Sequence, residues 1–203
     1  MTPARVRGLL LAITALLAAL VFLAWSQPWF SLELTASSGD PVPLDVRGDV
    51  AASALAPLAL AVLAIVAALA LAGPVFRVVF GVLESLLGAC VIAVTAVSLG
   101  DPAAASAHAV TDVTGVSGAD SVRELISSVA VSVWPTVAIV IGALIVLAGA
   151  LVAVTAPRWP TSGRRYSRSR GVPADAVEAE AAPDPVSEWD ALSDGDDPTA
   201  GAR

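Results

Sequence analysis

Four apolar runs divide the chain, at residues 8–25, 53–72, 75–99 and 133–156, and two short stretches of strict alternation lie between the first and the second. Each apolar run has 18 or more residues. A helix of that length crosses a hydrocarbon core of about 30 Å. Helices are therefore expected at about 8–26, 53–72, 75–99 and 133–156, with longer loops at 27–52 and 100–132. The second and third runs are joined by little more than Gly73-Pro74, which places them side by side as an antiparallel hairpin. Pro57 falls in the first turns of its helix, where a missing N–H costs little. Pro135 is expected to kink or loosen the start of the fourth helix.

The alternating stretches carry a different period. Phe30, Leu32 and Leu34 share one side, with Ser31, Glu33 and Thr35 on the other; after a Ser-Ser-Gly-Asp turn, Val42, Leu44 and Val46 alternate with Pro43, Asp45 and Arg47. Two period-2 runs around a glycine-containing turn predict a β-hairpin. A hairpin alone is marginal in water, so its apolar side should rest on the membrane surface or on the second long loop. In that second loop Ser121 and Glu124 have capping-box spacing ahead of Leu125 and Ile126, which predicts a helix running on into the fourth span. His108 has no neighbouring His or Cys and reads as a solvated residue.

Composition sharpens this picture. The chain is 57 % hydrophobic and 14 % charged, where a soluble domain carries roughly a quarter charged residues. The net charge of −7 is not spread evenly, since nine of the 18 acids fall between Asp175 and Asp197. From residue 171 onward Ala, Pro, Glu and Asp dominate, a composition too polar to build a core. The one cysteine, Cys90, lies in an apolar run and reads as packing. Arg5 and Arg7 ahead of the first run also suit a cleavable leader. Such leaders have apolar cores of about 7–15 residues and small residues at the cut, whereas this run ends in Trp25-Ser26-Gln27-Pro28-Trp29-Phe30, so an uncleaved helix is expected.

Arginine placement sets the expected orientation. Arg5, Arg7, Arg77 and the five arginines of 158–170 fall on one side, against Arg47 and Arg123 in the two longer loops. The positive-inside rule then puts both termini and the Gly73-Pro74 joint in the cytoplasm of a plasma-membrane protein. Trp25, Trp29 and Trp134 fall at the outer interface and Trp159 at the inner one, where aromatic belts sit; Arg77 is expected to reach lipid phosphates. The fold class expected is an all-α membrane protein. It comprises a four-helix transmembrane bundle over 1–157, with an extracytoplasmic β-hairpin and a disordered cytoplasmic tail over 158–203.

Candidate chemistry is sparse. Glu84 is the one acid deep within a span, about 15 Å beyond Pro74 at 1.5 Å per residue. A charge there costs several kcal/mol, so the carboxyl should be neutral, paired or in a wet cavity. Arg77, Gly81, Glu84, Gly88 and Thr95 fall on one helical face, which should point away from lipid. Two readings stay open for Glu84: a proton- or substrate-binding carboxyl in a permeation path, or a buried structural residue bonded to a neighbouring helix. Gly81 and Gly88, with Ala138, Gly142, Gly149 and Ala153, form small-residue faces suited to close helix contact within the chain or between copies in a homo-oligomer. In the tail Ser187 and Asp190 have capping-box spacing, and Trp189 and Leu192 share a helical face, which suggests a docking motif centred on Trp189, Asp190 and Leu192. No phosphate-binding loop, dinucleotide fingerprint, metal-ligand cluster or catalytic triad is present, so neither an enzyme nor a cofactor is expected. The basic stretch is assigned to the membrane side, which leaves no nucleic-acid surface.

Several short motifs together carry a family resemblance. They are Gln27-Pro28-Trp29, Gly48 ahead of Ala56-Pro57, Gly73-Pro74 with Arg77 and Gly81, Trp134-Pro135 and Arg164-Arg165-Tyr166. The most specific is Trp189-Asp190-Ala191-Leu192-Ser193 with Gly195 and Asp197-Pro198-Thr199. With these the chain resembles the tryptophan-biosynthesis-associated membrane proteins of actinobacteria. The resemblance implies a pathway association and no catalytic residues. Two functions follow from it: an accessory protein whose tail recruits a cytoplasmic tryptophan-pathway enzyme, or a small exporter of tryptophan or a related metabolite that uses Glu84.

Overall fold

The computed structural model describes residues 3–35 and 41–156. Trp159 and the tail motif of Trp189, Asp190 and Leu192 lie outside the described residues. The described part is mostly helical. Its long helices are α1 (Pro3–Ser26, 24 residues), α3 (Leu55–Leu71, 17 residues), α4 (Pro74–Gly100, 27 residues) and α7 (Trp134–Thr155, 22 residues). Three of them, α1, α4 and α7, are long and apolar enough to cross a membrane; α3 is apolar and shorter. Proline marks two of the starts. Pro74 opens α4 and Pro135 stands in the first turn of α7, where its missing N–H would have had no helical partner, so it begins the helix rather than kinking it.

Helix α1 packs on α3 and α7, α3 on α4, and α4 most extensively on α7. The α4–α7 contact is made at backbone distance because glycine faces glycine. A Cβ placed on Gly81 would lie 2.7 Å from the Ala153 nitrogen and 2.8 Å from the Gly149 oxygen; one on Gly88 would lie 2.7 Å from the Val146 nitrogen and 2.8 Å from the Gly142 oxygen. The pairs run in opposite directions along the two helices, so the helices are antiparallel. The seven-residue spacing on both keeps each glycine on the seam over two turns. Ser85 Oγ donates across it to the Val146 carbonyl at 3.1 Å. Both small-residue faces therefore meet each other within one chain.

A three-stranded antiparallel sheet of order β2-β1-β3 joins the same end of the helices, formed by β1 (Pro28–Thr35), β2 (Pro41–Arg47) and β3 (Ile126–Val131). The alternation sets the register: Phe30, Leu32 and Leu34 pair with Val46, Leu44 and Val42. Trp29, Phe30, Leu32 and Val46 are almost wholly buried in one core with Val110 and Val122. Those two valines come from α5 (Pro102–Thr114) and α6 (Ala119–Leu125), which follow α4; a one-turn helix α2 (Gly48–Ala51) links β2 to α3.

The second loop departs from its sequence reading. The Ser121–Glu124 capping box is not used, because α6 starts at Ala119 behind Gly118, which has φ 108° and no side-chain cap. That helix ends at Leu125, and residues 126–131 pair with β1 instead of continuing into α7. The ladder with β1 outweighs local helix continuation here, as the β-branched Ile126, Val129 and Val131 favour. The Ala-rich segment before it is helix α5. Asp101 caps α5, accepting from the Ala104 N–H at 3.0 Å, with Pro102 at its first position.

Candidate functional site

The buried face of α4 consists of Arg77, Gly81, Glu84, Gly88, Val91, Thr95 and Ser98. Most of its polar groups are satisfied locally. Thr95 Oγ1 donates to the Val91 carbonyl at 2.9 Å, and Ser98 Oγ donates to the Ala51 carbonyl at 2.7 Å. Glu84 differs. Its side chain is 0 % exposed, and its Oε1 lies within hydrogen-bond distance of Thr14 Oγ1 of α1, at 2.8 Å. Thr14 Oγ1 also lies 3.1 Å from the Leu10 carbonyl one turn back on α1. Glu84 Oε2 is buried and has no hydrogen-bond partner among the described residues.

Thr14 is the partner of Glu84 that was not evident from the sequence. It is the only hydroxyl side chain between Gly8 and Ala24, and a lone polar residue in a span is a signal worth pairing with the one acid of another span. The site is closed. Among the described residues, cavities of about 350 and 270 Å³ open beside Ala51 and Ser98, and one of about 190 Å³ lies between α5 and α6. Glu84 lines none of them, and it stands 14 residues, about 21 Å, along α4 from Ser98. Among the described residues no three or more His, Cys, Asp or Glu side chains cluster as a metal site.

The interface anchors divide. Trp25 is half-buried and packs edge-on against Phe22, with ring centroids 6.3 Å apart, and Trp134 is half-buried at the start of α7. Trp29 corrects the sequence reading. It is 0 % exposed, and its indole N–H donates to the Ala24 carbonyl at 2.8 Å, so it is a core residue and not a ring offered to lipid. The cause is the end of α1, whose last carbonyls lack helical donors. Trp29 takes one of them, and Arg47 takes another by donating twice to the Ser26 carbonyl, at 3.0 and 2.7 Å. A cation at that end also opposes the helix dipole. Arg7 does the same for α3 by donating to the Ala70 carbonyl. Arg77, in the first turn of α4, is 6 % exposed. In the second loop Arg123 pairs with Asp101; the Ala104 N–H, with that guanidinium, holds the Asp101 carboxyl below its ordinary range.

Apolar helices, an acid buried among them and a sheet at one end make up the described architecture, and a family match supplies its context. Residues 11–199 match the family described as tryptophan-associated transmembrane protein. The chain belongs to that family. It is thereby a membrane protein of a tryptophan-associated family, and the family's description names no reaction. The match extends over the spans, the sheet and the tail motif alike. No curated protein and no solved structure matches the chain.

Proposed function

We propose that this protein is a non-enzymatic membrane accessory of tryptophan biosynthesis, a static scaffold that holds a docking tail at the cytoplasmic face. In this reading α1, α3, α4 and α7 form a four-helix transmembrane bundle in the plasma membrane. Its second member, the 17-residue α3, is about 26 Å long and lies at the short end of what a bilayer accepts. The arginine distribution supports cytoplasmic termini, with the sheet, α5 and α6 outside. The observation that carries the scaffold reading is the closure of Glu84: the one acid in the spans is fully buried, bonded to Thr14 and about 21 Å along α4 from Ser98 beside the sheet-end cavities. A carrier needs its binding group in reach of water on each side in turn.

The tail supplies the recognition element. Trp189, Asp190 and Leu192 stand in a segment with little else to bury, and tryptophan is a frequent energetic centre of interfaces. A pull-down from membranes should recover a soluble enzyme of the tryptophan pathway with the full chain, and lose it on deletion of 158–203 or in Trp189→Ala, by at least tenfold. Recovery of no pathway enzyme by the full chain would sink the proposal.

A second reading rests on the bare Oε2 of Glu84, an oxygen free to receive a donor from a substrate or a water. It makes the protein a small exporter of tryptophan or a related aromatic metabolite. Glu84→Gln should then lower tryptophan efflux from loaded vesicles several-fold. Equal efflux from both proteins removes this reading.

A further inference from the structure

We infer that Glu84 holds a proton in the assembled protein and donates it to Thr14, so that Glu84, Thr14 and the Leu10 carbonyl form one directed hydrogen-bond chain latching α1 to α4. The argument is a count of hydrogens. Thr14 Oγ1 is within bonding distance of two acceptors, Glu84 Oε1 at 2.8 Å and the Leu10 carbonyl at 3.1 Å, yet a threonine hydroxyl carries one hydrogen. If the carboxyl is ionised, that hydrogen serves one acceptor and leaves the other without it. The carboxylate would then hold its full charge on a single neutral donor, out of contact with solvent. If the carboxyl is protonated at Oε1, both contacts are satisfied in sequence: Oε1–H to Thr14 Oγ1, and Oγ1–H to the Leu10 carbonyl. Oε2 is then a carbonyl oxygen, whose lack of a partner costs far less than a bare anion. One protonation state thus explains both short contacts and the orphan oxygen.

No other ionisable group among the described helices contests the assignment. Helices α3 and α7 carry no Asp, Glu, His, Lys or Arg. On α1 the charged residues are Arg5 and Arg7, and on α4 Arg77 is the only other charged one; Arg7 and Arg77 stand seven residues, about 10 Å, along the axis from Thr14 and Glu84. Cys90 is on the exposed face of α4. No ion pair to Glu84 occurs among the described residues. The latch spans a pair of helices that otherwise touch little, since α1 packs chiefly on α3 and α7. It is therefore a direct polar tie between α1 and α4. The inference stands on this contact and is independent of what the tail binds.

The test is infrared difference spectroscopy on the full chain in lipid vesicles at neutral pH, wild type minus Glu84→Gln. The expected result is a carbonyl stretch of a protonated carboxylic acid, with no carboxylate band of comparable size. In Thr14→Val the band should shift to higher frequency, as a carboxylic acid without an acceptor does, and in Thr14→Ser it should stay in place. A difference spectrum carrying the carboxylate band instead overturns the proposal, and so does a carbonyl band that Thr14→Val leaves unmoved. If Thr14→Val does not fold, recovery of folded protein with the band in place in Thr14→Ser supports the latch; failure of both variants overturns it.

Discussion

Gly149→Leu is expected to destabilise the packed form of the protein strongly. The Cβ alone would stand 2.6 Å from the Gly81 oxygen, the Ser85 nitrogen and the Ser85 hydroxyl, and two of those three atoms are helix backbone with nowhere to go. Separating α4 from α7 by enough to admit a leucine would also break the Ser85 bond to Val146 and open the contact at Gly88 and Gly142. Overpacking of a close-packed site costs about 1–3 kcal/mol and can exceed that. A branched side chain driven into backbone belongs at the top of that range, against a total stability of roughly 5–15 kcal/mol. The check is monodisperse elution and thermal stability of the purified protein in detergent. Gly8→Ala is the matched control, because a Cβ there meets nothing within 4 Å and helix propensity gains up to about 1 kcal/mol. Wild-type behaviour of Gly149→Leu would mean the seam is not where the structure puts it.

The positions of the helices were legible because a span has a minimum length and a composition that nothing else in the chain imitates. The sheet register was legible as far as local period reaches: Phe30, Leu32 and Leu34 can share a side only if Val42, Leu44 and Val46 face them. What was not legible was long-range. Residues 126–131 read as the continuation of a helix because capping signals are local, whereas the β1 ladder that claims them is formed by residues nearly a hundred positions earlier. The same limit applies to the site. A carboxyl at the depth of Glu84 could be seen to need a partner, but its partner is 70 residues away, and Thr14 looks in isolation like any hydroxyl tolerated in a helix. Trp29 failed differently. Tryptophan is common at membrane interfaces, so its place after the first span put it there, and only the packing shows that it is turned inward.

Trp29→Ala is the second large effect, and it separates the core role from the interfacial one. A tryptophan offered to headgroups can be replaced by phenylalanine at little cost. Trp29 is fully buried, so truncation to alanine should cost about 3–5 kcal/mol. Trp29→Phe, which keeps most of the ring, should still lose about 1 kcal/mol, because the Ala24 carbonyl at the end of α1 keeps only the longer bond from the Gln27 N–H, at 3.3 Å. Gly48 provides the internal check. A Cβ on Gly48 would lie 2.6 Å from the Trp25 oxygen and 2.7 Å from Trp29 Nε1, so Gly48→Ala alone is destabilising. In the Trp29→Ala background the ring is gone and only the backbone clash remains, so the two changes should sum to less than their separate costs, as contacting residues do. The readout is the apparent melting temperature of the four proteins of the cycle in one detergent. Additive losses, or a Trp29→Phe variant as stable as wild type, would place the indole at the membrane surface after all, because only a ring seated between the end of α1 and Gly48 couples to both.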